Sequence, residues 1–461
     1  MLQVLVIVLP VALGALEALA AERVGGTAAP TTVGSFLRDV LVLGSVAFGT
    51  LVLLQLVLAT VLPRLLRRMI TPGRTYALFG FRYSLLRLVT RLSNRPFLDA
   101  LFGDSSAITR YLRLLGYDLG RVQQTGSNFG TTQKHDTPFA VSVGRGTMIS
   151  DGLSLANAEY TSSGFRVREA HVGERNFLGN NVIVPAEARI GDNVLLATKV
   201  LVPVDGEVRE DTGLLGSPAF PIPRSVERDG RFDHLAEGEE FRRRLRRKNV
   251  SNTLTGFSLL AARWAYALLL TAAGLGDALL HGTPRATRGR AGRVGRRRRG
   301  RVWFTLVERA AMGFRRLSPR YCSIYDPYFW RHERLWKLLP PFLALFDGTP
   351  MKALVLRALG VRVGKRLFDD GAAIPEHTLV TLGDDVTLDV GSTIQCHSLE
   401  DGTFKSDRTE IGDGVSLGVA AFVHYGVETG ANSVLDADGF LMKGSVTSPD
   451  SRWRGNPAEP A

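Results

Sequence analysis

The chain has 461 residues, 45% of them hydrophobic and 22% charged, and a formal net charge of +13. That length allows two to four folded units, and the basic balance points to anionic lipid, an anionic substrate or nucleic acid. Two cysteines, Cys322 and Cys396, exclude a disulfide framework and suit a reducing compartment.

Residues 2–21 are almost wholly apolar, with Glu17 their only charge, and residues 40–62 carry no charge at all. Each reaches the roughly 20 residues that a helix needs to cross a bilayer. No basic residue precedes the first stretch, so a secretory signal is not expected, although Ala18-Leu19-Ala20 resembles a cleavage site. Arg64, Arg67, Arg68 and Arg74 come directly after the second stretch, whereas the connector before it has no excess of positive charge. By the positive-inside tendency, residues 1–63 are expected to form a transmembrane hairpin, with the downstream chain in the cytoplasm at the plasma membrane. Residues 64–115 set Phe81, Leu85, Leu88 and Leu92 among Arg82, Arg87 and Arg91. This reads as juxtamembrane amphipathic helices with arginine heads at the lipid surface.

Residues 116–225 change period. Val172, Leu178, Val184, Ile190, Leu196, Val202 and Val208 recur every six positions, preceded by Val143, Ile149 and Leu155. Six fits neither an amphipathic helix nor an alternating strand; it is the period of hexapeptide β-helix repeats. Three hexads make one triangular coil with an aliphatic residue inward on each side, and stacked coils share one core. The register breaks at residues 157–166, as expected of a loop thrown out of a coil.

Residues 226–345 form a basic linker. A charged helix is expected at 237–248. An apolar stretch, 256–280, is expected to dip into or lie along the cytoplasmic face, because a third crossing would put the flanking domains on opposite sides. Residues 284–301 hold nine arginines, including Arg296 to Arg299 in a row, and suit anionic headgroups. Nucleic acid is not the expected partner, since no aromatic platform accompanies the run. Residues 321–345 are aromatic and basic, fitting the headgroup layer or a helix on the flank of the next domain.

In residues 346–461 the hexads return: Leu382, Leu388, Ile394, then Ile411, Leu417, Val423, Thr429, Leu435 and Leu441, with a break at 397–405. Gly144 and Gly383, Gly173 and Gly412, and Gly216-Ser217-Pro218-Ala219 and Gly455-Asn456-Pro457-Ala458 are matched at one common offset. The expected fold is therefore mainly β: two tandem parallel β-helix domains plus transmembrane and juxtamembrane helices.

A base that works near neutral pH is best made from histidine. The second domain offers His397, where the coil gives way to the loop, and His424, directly after the inward Val423. Both are candidate catalytic residues, and a nearby carboxylate can orient an imidazole. Glu400 and Asp401, with Lys405 and Asp407 at the end of the loop, are candidate substrate-binding residues. The first domain has Ala158 and Pro185 at the matching positions, which marks it as a degenerate, structural or acceptor-binding copy. Cys396 suits a small buried corner residue, because neighbours on a strand point to opposite faces. Two histidines fall short of the three protein ligands usual for a catalytic zinc, so no metal is expected.

Five motifs resemble the C-terminal membrane region of the Pls/PosA family of non-ribosomal peptide synthetases, the poly-lysine synthetase type. They are Gly213-Leu214-Leu215-Gly216-Ser217-Pro218-Ala219, Tyr321-Cys322-Ser323-Ile324-Tyr325, Tyr328-Phe329-Trp330-Arg331-His332-Glu333-Arg334, Phe422-Val423-His424-Tyr425-Gly426-Val427 and Trp453-Arg454-Gly455-Asn456-Pro457-Ala458. The resemblance implies tandem acyltransferase-like domains, linked by membrane helices, that condense activated amino acids. The hexapeptide resemblance implies left-handed coils and acyl transfer from a thioester to an amine or hydroxyl. No tightly bound cofactor is then expected. The donor would be a thioester, on carrier-protein phosphopantetheine or on coenzyme A, and the family's upstream adenylation and carrier domains would act as partners. The rival expectations are a non-catalytic membrane scaffold for a synthetase and a coenzyme A-dependent hexapeptide acetyltransferase.

Overall fold

The computed structural model describes residues 32–120, 129–130, 132–223, 230–235, 238–281, 303, 305–338, 343–400 and 402–461. The expected first span at 2–21, the arginine run at 284–301 and Asp401 lie outside the described residues. In chain order, helix α1 (Val33–Arg67) leads to strand Thr75–Ala77, then α2 (Phe81–Ser93), α3 (Pro96–Phe102), α4 (Ala107–Leu115) and a first stack of short parallel strands. Helix α5 (Gly238–His281) comes next, then strand Arg320–Ser323, α6 (Pro327–Lys337), α7 (Met351–Leu359) and a second stack.

The hexads build the stacks as their period demands. Leu178 lies over Leu196 and Leu196 over Leu214 in one sheet, each pair three hexads apart. Leu417 over Leu435 and Val423 over Leu441 repeat the step in the second stack. Each stack has three parallel faces, and Val172, Leu178, Val184, Leu196, Leu388, Ile394, Leu417 and Val423 are wholly buried along the axis. Asn181, Asn193, Asp385 and Asn432 turn the corners in the left-handed conformation, which short polar side chains tolerate. Val208 departs from the expected inward register: it is 53% exposed, and Arg209 takes the place over Ile190. The segment from Ile190 to Arg209 holds one residue more than three hexads allow, which turns Val208 outward, and the register is restored where Leu214 lies over Leu196. Replacing Leu417 by Ala should leave a cavity at the axis and cost about 2–5 kcal/mol, read as a lowered unfolding midpoint by circular dichroism.

The two register breaks are antiparallel hairpins, Ala158–Tyr160 with Gly164–Val167 and His397–Glu400 with Thr403–Ser406. A third strand joins each from the segment before the coils. Tyr76 faces Phe165 in one, and Cys322 faces Phe404 in the other. Each third strand feeds a helix, α2 or α6, so the repeated unit includes a strand and helices that the hexads do not reveal. The apolar face of α2, with Leu85, Leu86 and Val89, is buried with Phe165 and Val167. It covers the hairpin. Helix α6 likewise packs on the second unit, with Phe329 and His332 fully buried.

The charged helix and the apolar stretch of the linker are one continuous 44-residue helix, α5. It packs along α1. Trp264 Nε1 donates to Ser45 Oγ at 2.9 Å, and Gly44 is the close approach, where a Cβ would come within 2.6 Å of Leu268. At the other end Asn252 donates to the Asp104 carbonyl at 3.3 Å. Both helices are long and apolar enough to cross a membrane. Past the undescribed segment, Trp303 lies beside α5, where its Nε1 donates to the Ala262 carbonyl at 3.1 Å. The two stacks touch. Lys199 Nζ donates to the Ala420 and Asp438 carbonyls at 2.8 and 2.9 Å, and Asn456 Nδ2 to the Thr198 carbonyl at 3.4 Å.

Candidate active site

Glu376 organises the polar centre of the second unit. It ends an extended segment before the single turn His377–Leu379, wholly buried. Its Oε1 accepts from Trp336 Nε1 at 2.6 Å and from His397 Nδ1 at 2.8 Å, and His332 Nε2 lies 3.5 Å away. Its Oε2 accepts from the Cys396 backbone N–H at 2.9 Å. Burial works against the charge, yet the two imidazoles and these donors hold the carboxyl well below its ordinary range.

His397 opens the hairpin at the coil edge, and its side chain is 12% exposed. Its ring stacks on Trp336, with centroids 4.3 Å apart and planes 30° from parallel. Phe404 stacks further off at 6.1 Å. The bond from Nδ1 to Glu376 sets the tautomer, so the neutral ring carries its free lone pair on Nε2. His332 is fully buried on α6; burial pushes its basicity down and Glu376 opposes this.

His424 follows Val423, which lies over Ile394 in the adjacent coil, and it is close enough for His397 to act on its charge. It is 8% exposed, and its Nδ1 accepts the Tyr425 backbone N–H at 2.9 Å. Burial, aided by His397 and Lys443, pushes it down to about 3. With Nδ1 occupied as acceptor, the neutral ring offers an Nε2–H donor and no base. His135 in the first unit, bonded through Nδ1 to Tyr117 Oη at 3.0 Å and through Nε2 to Ser93 Oγ at 2.8 Å, is likewise pushed by burial to about 3. Both folded values lie below that of an unfolded histidine, so the unfolded chain binds more protons between pH 6.5 and 3. Stability should fall as pH drops through that window, by up to about 1.4 kcal/mol per pH unit for each histidine. Urea unfolding at stepped pH should show the slope, and His135→Gln should reduce it.

The other expected site residues are scattered. Lys405 faces Ser398 across the hairpin, on the face opposite His397, and its Nζ lies 5.4 Å from the centre of the Tyr321 ring. The backbone of Glu400 pairs with Thr403 at the hairpin end. Asp407 is exposed just past the hairpin; its Oδ1 accepts the Arg408 N–H at 2.7 Å, and its Oδ2 approaches Gly426 beside His424. Cys396 is wholly buried, donates to Thr409 Oγ1 at 3.4 Å, and its thiol is pushed up by burial and by Glu376, so it is no nucleophile.

Glu376, Trp336 and His332 escaped sequence reasoning. The duplication held the signal. The matching strand registers of the two hairpins set Glu376 against Thr137, His397 against Ala158, His332 against Leu86 and Trp336 against Thr90. In the first unit Thr137 and Asn157 bond each other instead, through Thr137 N to Asn157 Oδ1 at 3.0 Å and Asn157 Nδ2 to the Thr137 carbonyl at 2.9 Å. Neutral amide bonds there replace the carboxylate–imidazole set.

The fold and this centre define a β-helical chain whose second unit carries a histidine held by a buried carboxylate. The resemblance to poly-amino-acid synthetases extends along the chain, which is 25% identical over 395 residues, 84% of its length, to the delta-poly-L-ornithine synthetase of Acinetobacter baumannii. The chain spans 29% of that synthetase's length. No family model matches it. Among solved structures, a hexapeptide-repeat acetyltransferase of Vibrio cholerae in complex with acetyl coenzyme A is 19% identical, covering 26% of this chain and 81% of its own, with a TM-score of 0.22. A maltose O-acetyltransferase of Clostridium difficile is also 19% identical, covering 31% and 91%, with a TM-score of 0.25.

Proposed function

We propose that this chain is a membrane-anchored acyl or aminoacyl transferase with left-handed coils. It would join a thioester-activated amino acid to an amine in non-ribosomal peptide synthesis. The observation that carries the reading is the Glu376–His397 pair, which leaves one imidazole nitrogen at the stack surface oriented to take a proton. The acceptor nitrogen attacks the thioester carbonyl, forming the C–N bond. His397 Nε2 takes the proton that the nitrogen loses. The C–S bond then breaks and the proton passes to the departing thiolate. His424, neutral with an Nε2–H, supplies a donor for the carbonyl oxygen as it becomes an oxyanion. Asp407 at the rim binds the acceptor's ammonium group before it is deprotonated. The donor is carried by phosphopantetheine on a partner carrier protein or by coenzyme A.

Helices α1 and α5 anchor both stacks at the cytoplasmic face of the plasma membrane. The arginines at the end of α1 support this orientation, and the arginine-rich segment between α5 and Trp303 rests on anionic headgroups. The test is transfer of a labelled amino acid from a loaded carrier protein, or from acyl coenzyme A, to an amine, read out by mass spectrometry. Product that disappears with His397→Ala supports the reading. Product formed equally by that variant overturns it.

A further inference from the structure

Helix α5 has two unlike faces before it reaches α1. Lys248, Asn252, Thr255 and Leu259 point into the protein and are buried. On the opposite side Val250, Leu254 and Phe257 are 57%, 57% and 64% exposed. They belong to an open surface stripe formed by α5 alone, with Arg242, Leu245 and Arg246 at its upstream end. Arg242, Arg246, Val250 and Leu254 recur at four-residue steps, so charge and apolar surface lie on one ridge. Arg244 pairs with Glu240, whereas Arg242 and Arg246 have no carboxylate partner among the described residues.

We infer that this face of α5 binds one anionic phospholipid, its phosphate held by Arg242 and Arg246 and one acyl chain laid along Val250, Leu254 and Phe257. Length supports the match. From Arg246 to Phe257 the helix rises roughly 16 Å, and one leaflet of hydrocarbon is roughly 15 Å deep. Charge supports it as well: two guanidiniums one turn apart suit a phosphate diester, which accepts paired N–H bonds. A soluble anion would leave the exposed apolar stripe uncovered, and an apolar peptide would leave the arginines unmatched. The site lies outside the arginine-rich run and rests on the membrane reading of α1 and α5.

The test places the full chain in nanodiscs of phosphatidylcholine with or without one quarter phosphatidylglycerol. Native mass spectrometry after release into detergent then counts retained lipid. The expected result is one retained phosphatidylglycerol, with affinity at least tenfold lower in the Arg242→Gln/Arg246→Gln variant and unchanged in Arg243→Gln, one step around the helix. A chain that enters nanodiscs but retains both lipids equally, or whose double variant keeps phosphatidylglycerol, overturns the site and leaves the membrane reading standing. A chain that stays outside the nanodiscs overturns both.

Discussion

Replacing Glu376 by Gln should lower the rate of transfer by about 10²–10⁴-fold, close to the loss in His397→Ala. The substitution keeps the shape and one acceptor oxygen. It removes the charge that stabilises the imidazolium formed when His397 takes the proton, and its amide can present a donor where Nδ1–H needs an acceptor. The wrong tautomer then turns a protonated Nε2 toward the acceptor. KM should change little, because Glu376 is wholly buried. The double variant should be no slower than the slower single one, since the two residues act as one device. Equal turnover in wild type and Glu376→Gln, measured with the folded protein confirmed by circular dichroism, would show that the pair is structural. His332→Phe separates orientation from catalysis: it should disturb the Glu376 geometry and the pH profile without abolishing transfer.

The Lys248→Met variant should be the most destabilised single substitution outside the coils. Lys248 Nζ pairs with a Glu333 carboxylate oxygen where both side chains are essentially out of solvent. Lys337 and Asp104, at 3% and 2% exposure, complete the cluster. Burial pushes the Glu333 carboxyl up, with Lys248 pulling it back. Removing one partner leaves an uncompensated charge and should cost about 3–5 kcal/mol. Lys248→Met/Glu333→Leu removes both and should recover most of the loss, because well-packed apolar groups replace buried pairs at little cost. Thermal unfolding in detergent distinguishes the two: a double variant as unstable as the single one would mean that packing, not charge, holds this junction. The junction matters because α6 carries Glu333 on one side and His332 and Trp336 on another. Loosening it should also slow transfer, with the single variant affected more than the double.

The period of six along the chain determined the coils, because inward aliphatic residues at a fixed step can be satisfied only by stacking. His397 and His424 were legible for a similar reason: a histidine at the edge of a coil interrupts an otherwise apolar or small-residue pattern. Glu376 was not legible. It lies twenty-one residues before His397, in a segment with no hexad signal, and local reading favoured the acids just after His397 in the chain. The coil brings position 376 under position 397, and only that closure makes it the carboxylate partner. Trp336 and His332 are more remote still, on a helix that reads as an interfacial aromatic segment until its strand pairs with the hairpin and turns it onto the site.

Helix α5 shows the same division. Its composition contains both a charged half and an apolar half, and length and apolarity qualify it as a span. Whether those halves are one rod or two elements depends on α1, whose Gly44 and Ser45 receive Leu268 and Trp264. Repeats and composition thus determined which segments form coils and which can meet lipid, since those properties depend on spacing and polarity alone. The tertiary structure decided which carboxylate bonds the histidine, which unit holds that pair and how the two units touch. Those properties depend on contacts between residues far apart in the chain, which local pattern does not encode.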